Sequence, residues 1–192
     1  MRKSLIAIGL LLALGTTARA EVESLLGAGY WEAWVKPEMK VTPLADDTAG
    51  IAGIQLGTSI GHGLYIGAGY YSLVNSVKFG SPEQGEIKAT DLWYAGGDLD
   101  YTFLASKLVH GSADLFVGGG RATADMVSGG SDRANLFVVE PGLTVMINVT
   151  PDVEIGLGAG YRIVSGSGID GLSNSDLSGF TGSIFFRWTE TR

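Results

Sequence analysis

The sequence has no cysteine, only two histidines, and no apolar run long enough to cross a membrane as a helix. The lack of cysteine excludes a disulfide framework, thiol chemistry and cysteine-ligated metal. The apolar stretch from Leu5 to Leu14 would rise only about 15 Å as a helix, whereas a hydrocarbon core is about 30 Å thick. The sequence therefore predicts neither a helical membrane protein nor a small disulfide-bonded one.

The apolar stretch near the N-terminus instead has the features of a secretory signal peptide. Arg2 and Lys3 precede it, and Ala18-Arg19-Ala20 follows it with small residues at the two positions that a signal peptidase requires. We therefore expect cleavage after Ala20, which divides the chain into a signal peptide at 1–20 and a single domain at 21–192. Because the residue after the cleavage site is not cysteine, a lipoprotein is not expected.

Basic residues are scarce, and glycine is abundant. Residues 21–192 contain ten basic and twenty acidic residues, which disfavours nucleic acid as a partner held by charge. Glycine accounts for 30 of the 192 residues, about twice its usual share of ~7%. Many of these glycines alternate with apolar residues, and glycine within a strand pattern marks a bend or a close approach of backbones.

Beyond residue 20 the apolar residues recur with a period of two, which predicts strands, and no segment has a convincing helical period. Eight strands are predicted, at Leu25–Met39, Gly50–Ile60, Leu64–Val77, Ile87–Leu104, Ala113–Val127, Ala134–Val149, Val153–Ser165 and Leu177–Thr189. Tight turns alternate with longer polar loops between them. The predicted fold class is all-β, an eight-stranded antiparallel transmembrane β-barrel with an up-and-down meander.

The two faces of each predicted strand decide between a soluble barrel and a membrane barrel. One face is apolar and the other carries small, polar or charged residues, and in a membrane barrel the apolar face meets lipid. The segments are mostly 11 to 18 residues long, enough to cross a bilayer when tilted. Aromatic residues also lie near the segment ends, which predicts two lipid-facing girdles. One comprises Trp31, Tyr70, Trp93 and Tyr161, and the other Tyr101, Phe103, Phe186 and Trp188.

The second half of the chain contains the motifs Leu136-Phe137-Val138-Val139-Glu140-Pro141-Gly142, Asn148-Val149-Thr150, Gly160-Tyr161-Arg162 and the segment 171–180. These motifs resemble those of the small outer-membrane β-barrel proteins of the OmpA/OmpX-like superfamily. The resemblance is strongest over residues 134–190. It implies the barrel fold and a place in the outer membrane of a Gram-negative bacterium, and it implies no particular activity.

Motifs for catalysis or metal binding are few. Some outer-membrane barrels are lipid-modifying enzymes that pair serine with histidine, and His110-Gly111-Ser112 has that spacing, but both His62 and His110 fall in predicted periplasmic turns. We expect no enzyme activity, no cofactor and no metal site. The acidic residues of the loops offer oxygen ligands for divalent cations, although a solvated surface is the favoured interpretation. They are Asp46, Asp47, Glu83, Glu86, Asp132, Asp170 and Asp176.

Charged residues on the predicted inward faces are interpreted as a structural network, because eight strands leave room for little more than side chains. The network comprises Glu32, Asp98, Asp100, Arg121, Glu140, Arg162 and Arg187, with Lys36, Asp125 and Glu154 at further inward positions. A selective pore is the alternative.

The sequence therefore predicts a structural or interaction protein of the outer membrane, with no catalysis and a plugged lumen. A narrow, porin-like channel of low conductance is the second hypothesis, and a lipid-modifying enzyme is a distant third. Outer-membrane lipid, lipopolysaccharide and the barrel assembly machinery are the expected partners. We expect a monomer with both termini in the periplasm.

Overall fold

The computed structural model describes residues 31–44, 47–60, 63–79, 87–126, 131–168 and 173–190, without the side chains of 78–79, 87–90 and 126. The proposed signal peptide and His62 lie outside the described residues. The described residues form nine strands and one helical turn: β1 (Trp31–Leu44), β2 (Asp47–Ile60), β3 (Leu64–Leu73), β4 (Val77–Phe79), β5 (Ile87–Phe103), β6 (Val109–Met126), β7 (Ser131–Thr150), β8 (Val153–Ser165), α1 (Asn174–Leu177) and β9 (Gly179–Thr189). No helix in this part of the chain is long and apolar enough to span a membrane.

The eight long strands close into an antiparallel barrel. Each long strand pairs with the next long strand along the chain, so that β3 pairs with β5, and β1 pairs with β9. The short strand β4 extends the sheet beside β5. The predicted fold class, an eight-stranded up-and-down barrel, is confirmed.

The strand limits differ from the predicted ones at several places, and β2 and β7 each begin three residues earlier than predicted. β1 continues to Leu44, five residues beyond its predicted end, and β6 begins at Val109, four residues before its predicted start. The predicted third strand is interrupted, because the Asn75 side chain accepts a hydrogen bond from the Gly50 amide and donates one to a carbonyl of β2. The last strand begins only after α1, whose first turn is closed by a capping box between Ser173 and Asp176.

The barrel has two distinct ends. The turn end carries the connections at 61–63, 104–108 and 151–152, and the loop end carries those at 45–46, 74–86, 127–130 and 166–178. Between the ends, apolar side chains point outward and polar or small ones inward. In β7, Leu143, Val145 and Ile147 are exposed while Thr144 and Met146 are buried, which is the pattern of a strand that faces lipid.

Glycine on the inward face makes room for large side chains in the narrow interior. A Cβ atom at Gly156 would overlap the ring of Phe185, which is itself buried. A Cβ atom at Gly67 would come within 2.6 Å of the Trp34 indole. The high glycine content of the sequence thus follows from the small diameter of the barrel.

Toward the loop end the polarity of the two faces is reversed. The interior there is an apolar core, which comprises Leu44, Ala49, Ile51, Tyr71, Val77, Leu92, Tyr94, Phe116, Ala122, Ala124, Ala134, Leu136, Val138, Val164 and Leu177. The outward face of the same strands is polar, with Asp91, Arg121, Asp125, Arg133 and Asn135 all exposed. An apolar interior with a polar exterior is the arrangement of a soluble protein, so the strands extend beyond the apolar band into water.

Candidate functional site: the barrel interior

Arg187, on β9, is the centre of an ion cluster near the turn end. Its Nε donates to a carboxylate oxygen of Glu154, and its Nη1 lies 3.5 Å from Asp100 Oδ2. The guanidinium also stacks over the ring of Tyr65, at 4.1 Å from the ring centroid. Because Arg187 is only 1% exposed, the two carboxylates supply the compensation that a buried cation requires.

Hydroxyl groups of its own strand and of the neighbouring strand β6 hold Asp100 in place. Ser112 Oγ donates to Asp100 Oδ2 at 3.2 Å, and Thr102 Oγ1 donates to Oδ1 at 3.3 Å. Ser112 also lies 2.6 Å from Thr144 Oγ1. Asp100 therefore has partners on both oxygens, and Ser112 and Thr144 tie the Arg187 cluster to β6 and β7.

His110 and Ser112, which share the spacing of a catalytic pair, bind different partners. The Nε2 of His110 contacts Glu154 Oε1 at 3.0 Å and its Nδ1 contacts the Lys107 carbonyl at 3.3 Å. Ser112 is fully buried and donates to Asp100. A serine nucleophile needs a histidine base within hydrogen-bond reach and access to substrate, and this arrangement offers neither.

A second cluster lies in the middle of the barrel around Lys40. The Lys40 ammonium lies 2.8 Å from Glu140 Oε1 and 3.8 Å from Glu38 Oε2. It also lies 3.9 Å from the centroid of the Tyr71 ring, and the Tyr71 hydroxyl donates to Glu38 at 2.6 Å. One cation thus serves two buried carboxylates.

Glu140 links this cluster to the apolar core. It accepts hydrogen bonds from Thr181 Oγ1 at 3.0 Å and from the Tyr94 hydroxyl at 3.4 Å. The Tyr94 ring stacks on Tyr71 at a centroid distance of 5.0 Å, and both pack edge-on against Phe116 at 5.5 Å. The three rings form one layer and pack in the apolar core, and the hydroxyl groups of the two tyrosines face the polar interior.

A third group, toward the turn end from the Lys40 cluster, holds more acid than base. Lys36 packs over Phe185, 5.1 Å from its centroid. Gln55 donates to Asp98 Oδ1 at 3.3 Å, whereas Asp98 Oδ2 and Asp114 Oδ1 are buried without a hydrogen-bond partner in the described residues. Asp114 lies directly opposite Asp100 across β5 and β6. Lys36 supplies positive charge to Asp98 and Asp114 through space.

At the loop end, Arg162 fastens α1 across the barrel. Its side chain is fully buried, its Nε donates to the Leu177 carbonyl at 2.9 Å, and its Nη2 donates to Thr42 Oγ1 at 3.3 Å. The Leu177 side chain is buried in the apolar core. The Val164 amide donates to Ser178 Oγ at 2.9 Å. These contacts hold α1 against the apolar core at the loop end.

A cleft of about 370 Å³ opens at the turn end. Its lining includes Glu32, Tyr65, Asn148, Asp152 and Glu154. In the part of the chain that the structure describes, no cluster of three His, Asp or Glu side chains has a geometry that could hold a metal ion. Asp176, one of the predicted loop acids, is engaged in the cap of α1.

The structure places the predicted charged residues as follows. Asp98, Asp100, Glu140, Arg162 and Arg187 are buried inside the barrel, and Glu32 lies half-buried near the turn end. The prediction for Arg121 is wrong, because this residue is exposed on the outward face, where its Nε donates to Asn135 Oδ1 at 3.4 Å. Asp125 is exposed as well. Among the buried members, Arg187 pairs with Asp100, Arg162 binds a carbonyl and a hydroxyl group, and Glu140 binds Lys40.

Sequence reasoning missed three charged residues of the interior. Glu38 lies within the predicted first strand and shares the alternation of Lys36, but it was not assigned to the interior; Lys40 lies just beyond the predicted end, and a first strand continued to Leu44 would have included it. Asp114 was missed because the fifth predicted strand was read in the opposite phase. Its triple glycine at 118–120 conceals the alternation.

The predicted girdle residues lie on the outward face, where one aromatic contact joins two of them and another joins one of them to a neighbouring ring. Tyr70 stacks on Trp93 at 6.3 Å, and Tyr161 packs edge-on against Phe180 at 5.0 Å. Trp31 was predicted at the same interface as Tyr70, but it lies at the turn end, opposite Ile60. β1 reaches the loop end only at Leu44, which places Trp31 at the opposite end.

No protein family profile matches this chain, and no curated protein matches it in sequence. Among solved structures it is similar to Neisserial surface protein A, with a TM-score of 0.54, 19% identity, and coverage of 83% of this chain and 96% of that one. It is also similar to Ail, the attachment invasion locus protein of Yersinia pestis, solved with the heparin analogue sucrose octasulfate (TM-score 0.52, 13% identity, 84% and 99% coverage). A major outer membrane protein from Thermus thermophilus has a TM-score of 0.52 at 10% identity, with 83% and 99% coverage.

At these low sequence identities, the similarity to the three solved structures shows a common fold and nothing more. The chain has the fold of the small eight-stranded outer-membrane β-barrels, as the resemblance to the OmpA/OmpX-like superfamily implied.

Proposed function

We propose that this chain is an outer-membrane protein with a structural or interaction role, no catalysis and a plugged lumen. The observation that carries the proposal is the filling of the interior. The Arg187 and Lys40 clusters occupy the turn end and the middle, and the apolar core closed by Leu177 occupies the loop end. Ions would have to cross an apolar layer to pass through, which is costly.

Planar-bilayer recording of the refolded chain from Glu21 onward tests the plug. We expect little steady conductance. A large, stable, ion-selective conductance would reject the plug and favour the narrow porin-like channel, for which the cleft at the turn end is the natural entrance. The contacts of His110 and Ser112 argue against the lipid-modifying enzyme, and release of fatty acid from labelled lipopolysaccharide would contradict that conclusion.

We further propose that residues 1–20 are removed on export, that both termini lie in the periplasm, and that the loop end faces outward. Short turns on the periplasmic side and longer connections outside are typical of such barrels. Ail is named for attachment and invasion, and an exposed loop end of this chain would suit an interaction role at the cell surface.

Cysteine labelling tests the orientation, since the natural chain has no cysteine. A membrane-impermeant maleimide should label Ser173→Cys in intact cells, and the matched turn-end variant Ser106→Cys only after lysis; both positions are exposed. The reverse pattern would contradict the orientation. Intact mass should begin at Glu21, and the protein should fractionate with outer membranes. A retained N-terminus or recovery in the soluble periplasm would contradict the location.

A further inference from the structure

Two arginines on the outside of the barrel lie together near the loop end. Arg121 pairs with Asn135 across β6 and β7, and the next outward residue of β6, Thr123, pairs with Arg133. The two arginines are therefore diagonal neighbours on one face, and such neighbours lie about 7–8 Å apart. Both are exposed.

Neither guanidinium is neutralised by a described side chain. Arg121 donates one hydrogen bond through Nε to the Asn135 amide oxygen, and its terminal nitrogens have no partner among the described side chains. The side chain of Arg133 has no hydrogen bond or ion pair within the described residues, although the exposed Asp91 lies in its row, beyond Thr123, and the exposed Asp125 is its diagonal neighbour toward the loop end. Two like charges side by side repel each other, and an anion placed between them relieves that repulsion.

The arginine pair lies at the upper edge of the lipid-facing band. Trp93 is directly opposite Arg121 across β5 and β6, and it stacks on Tyr70. Two residues closer to the turn end, Gly119 pairs with Phe137, whose ring is exposed. Tryptophan and tyrosine mark the level of the headgroups in a membrane. The arginines thus lie at the level where the phosphate groups of a lipid would be found.

We propose that Arg121 and Arg133 form a binding site for the phosphate monoester of a glycolipid in the leaflet at the loop end. Guanidinium groups bind phosphate oxygens in pairs, and a phosphate monoester offers three such oxygens with more charge than a phosphodiester. The acyl chains would lie on the apolar band beside Phe137. The choice of a glycolipid depends on the proposed outward orientation of the loop end, whereas the phosphate site itself does not.

Native mass spectrometry of the full mature chain, titrated with diphosphorylated lipid A, tests the site. We expect Arg121→Gln/Arg133→Gln to weaken binding about tenfold, because two charge-assisted contacts are lost. Lys107→Gln removes one exposed positive charge at the turn end and should leave binding unchanged. Chemically dephosphorylated lipid A should bind the natural chain as weakly as lipid A binds the double variant. Heat-modifiable migration in gels checks that each variant is folded.

Equal affinity of the double variant and the natural chain would overturn the proposal, as would an equal loss in Lys107→Gln. Phosphatidylglycerol binding as tightly as lipid A, with the same loss in the double variant, would overturn the assignment to a monoester. The cysteine labelling described above is a separate readout. If it places the loop end in the periplasm while the titration succeeds, the orientation fails and the phosphate site stands.

Discussion

Removal of the Lys40 ammonium should destabilise the barrel more than removal of the Glu140 carboxylate, although the two groups form one ion pair. Lys40→Met leaves two buried anions, Glu38 and Glu140, without their shared cation, and only hydroxyl donors remain for them. Glu140→Gln leaves one cation with one anion, because Glu38 Oε2 still lies 3.8 Å from the ammonium. The amide oxygen can also continue to accept from Thr181.

The expected magnitudes follow from the burial of the pair. Both side chains are at most 6% exposed, and removing one partner of a buried pair costs about 3–5 kcal/mol. Lys40→Met should cost about 4–5 kcal/mol, near the upper limit. Glu140→Gln should cost about 2–3 kcal/mol, because Glu38 and the Tyr71 ring still compensate the lysine. The double variant should cost less than the sum, with a coupling of about 2 kcal/mol.

Urea unfolding of the barrel in lipid vesicles, followed by tryptophan fluorescence and by gel migration without boiling, measures these differences. Lys107→Met is the matched control, because this lysine is exposed at the turn end, and it should unfold at the same urea concentration as the natural chain. Unfolding of both single variants at that concentration would refute the reasoning. A larger effect for Glu140→Gln than for Lys40→Met would refute the charge balance assigned to the cluster.

Three further changes test the faces and the closure of the barrel. Val145→Arg places a charge on a side chain that is 61% exposed on the lipid face; it should lower the free energy of unfolding in vesicles by about 2–4 kcal/mol, and a silent variant would contradict the face assignment. Gly156→Ala should cost about 1–3 kcal/mol because its methyl group overlaps the Phe185 ring, whereas Gly182→Ala, with no atom within 4 Å of the new Cβ, should unfold like the natural chain. Leu177→Ala should cost about 2–5 kcal/mol and raise the frequency of brief openings in bilayer recordings; unchanged stability and an unchanged trace would show that α1 does not close the loop end.

The sequence alone predicted the barrel because a period of two survives in nearly every strand. In β7 the alternation of Val145 with Thr144 and Met146 is unbroken through the membrane-facing part, so the lipid face and the interior face could be assigned. The positions of the tight turns and the glycines within the strands could also be predicted from the sequence. These features depend on local geometry, since successive side chains of a strand point to opposite faces whatever the rest of the chain does.

The level at which a strand leaves the membrane could not be read from the alternation. Arg121 and Asp125 were predicted inside because charges belong inside where lipid covers the outside. In β6, however, these positions lie beyond the apolar band, where water covers the outside and Ala122 and Ala124 fill the core. The same pattern of charged and apolar residues therefore has opposite meanings at the two levels.

The partners of the interior charges were decided only by the tertiary structure. Lys40 and Glu140 are 100 residues apart in sequence and lie on strands that are not neighbours. Their contact depends on the closure of β1 against β9 and on the stagger of every strand between them, to which each register contributes. Alternation determines which side chains point inward. The position of each side chain along the barrel axis, and therefore its partner, depends on the registers of all the strand pairs together, so it cannot be predicted from any local segment of the sequence.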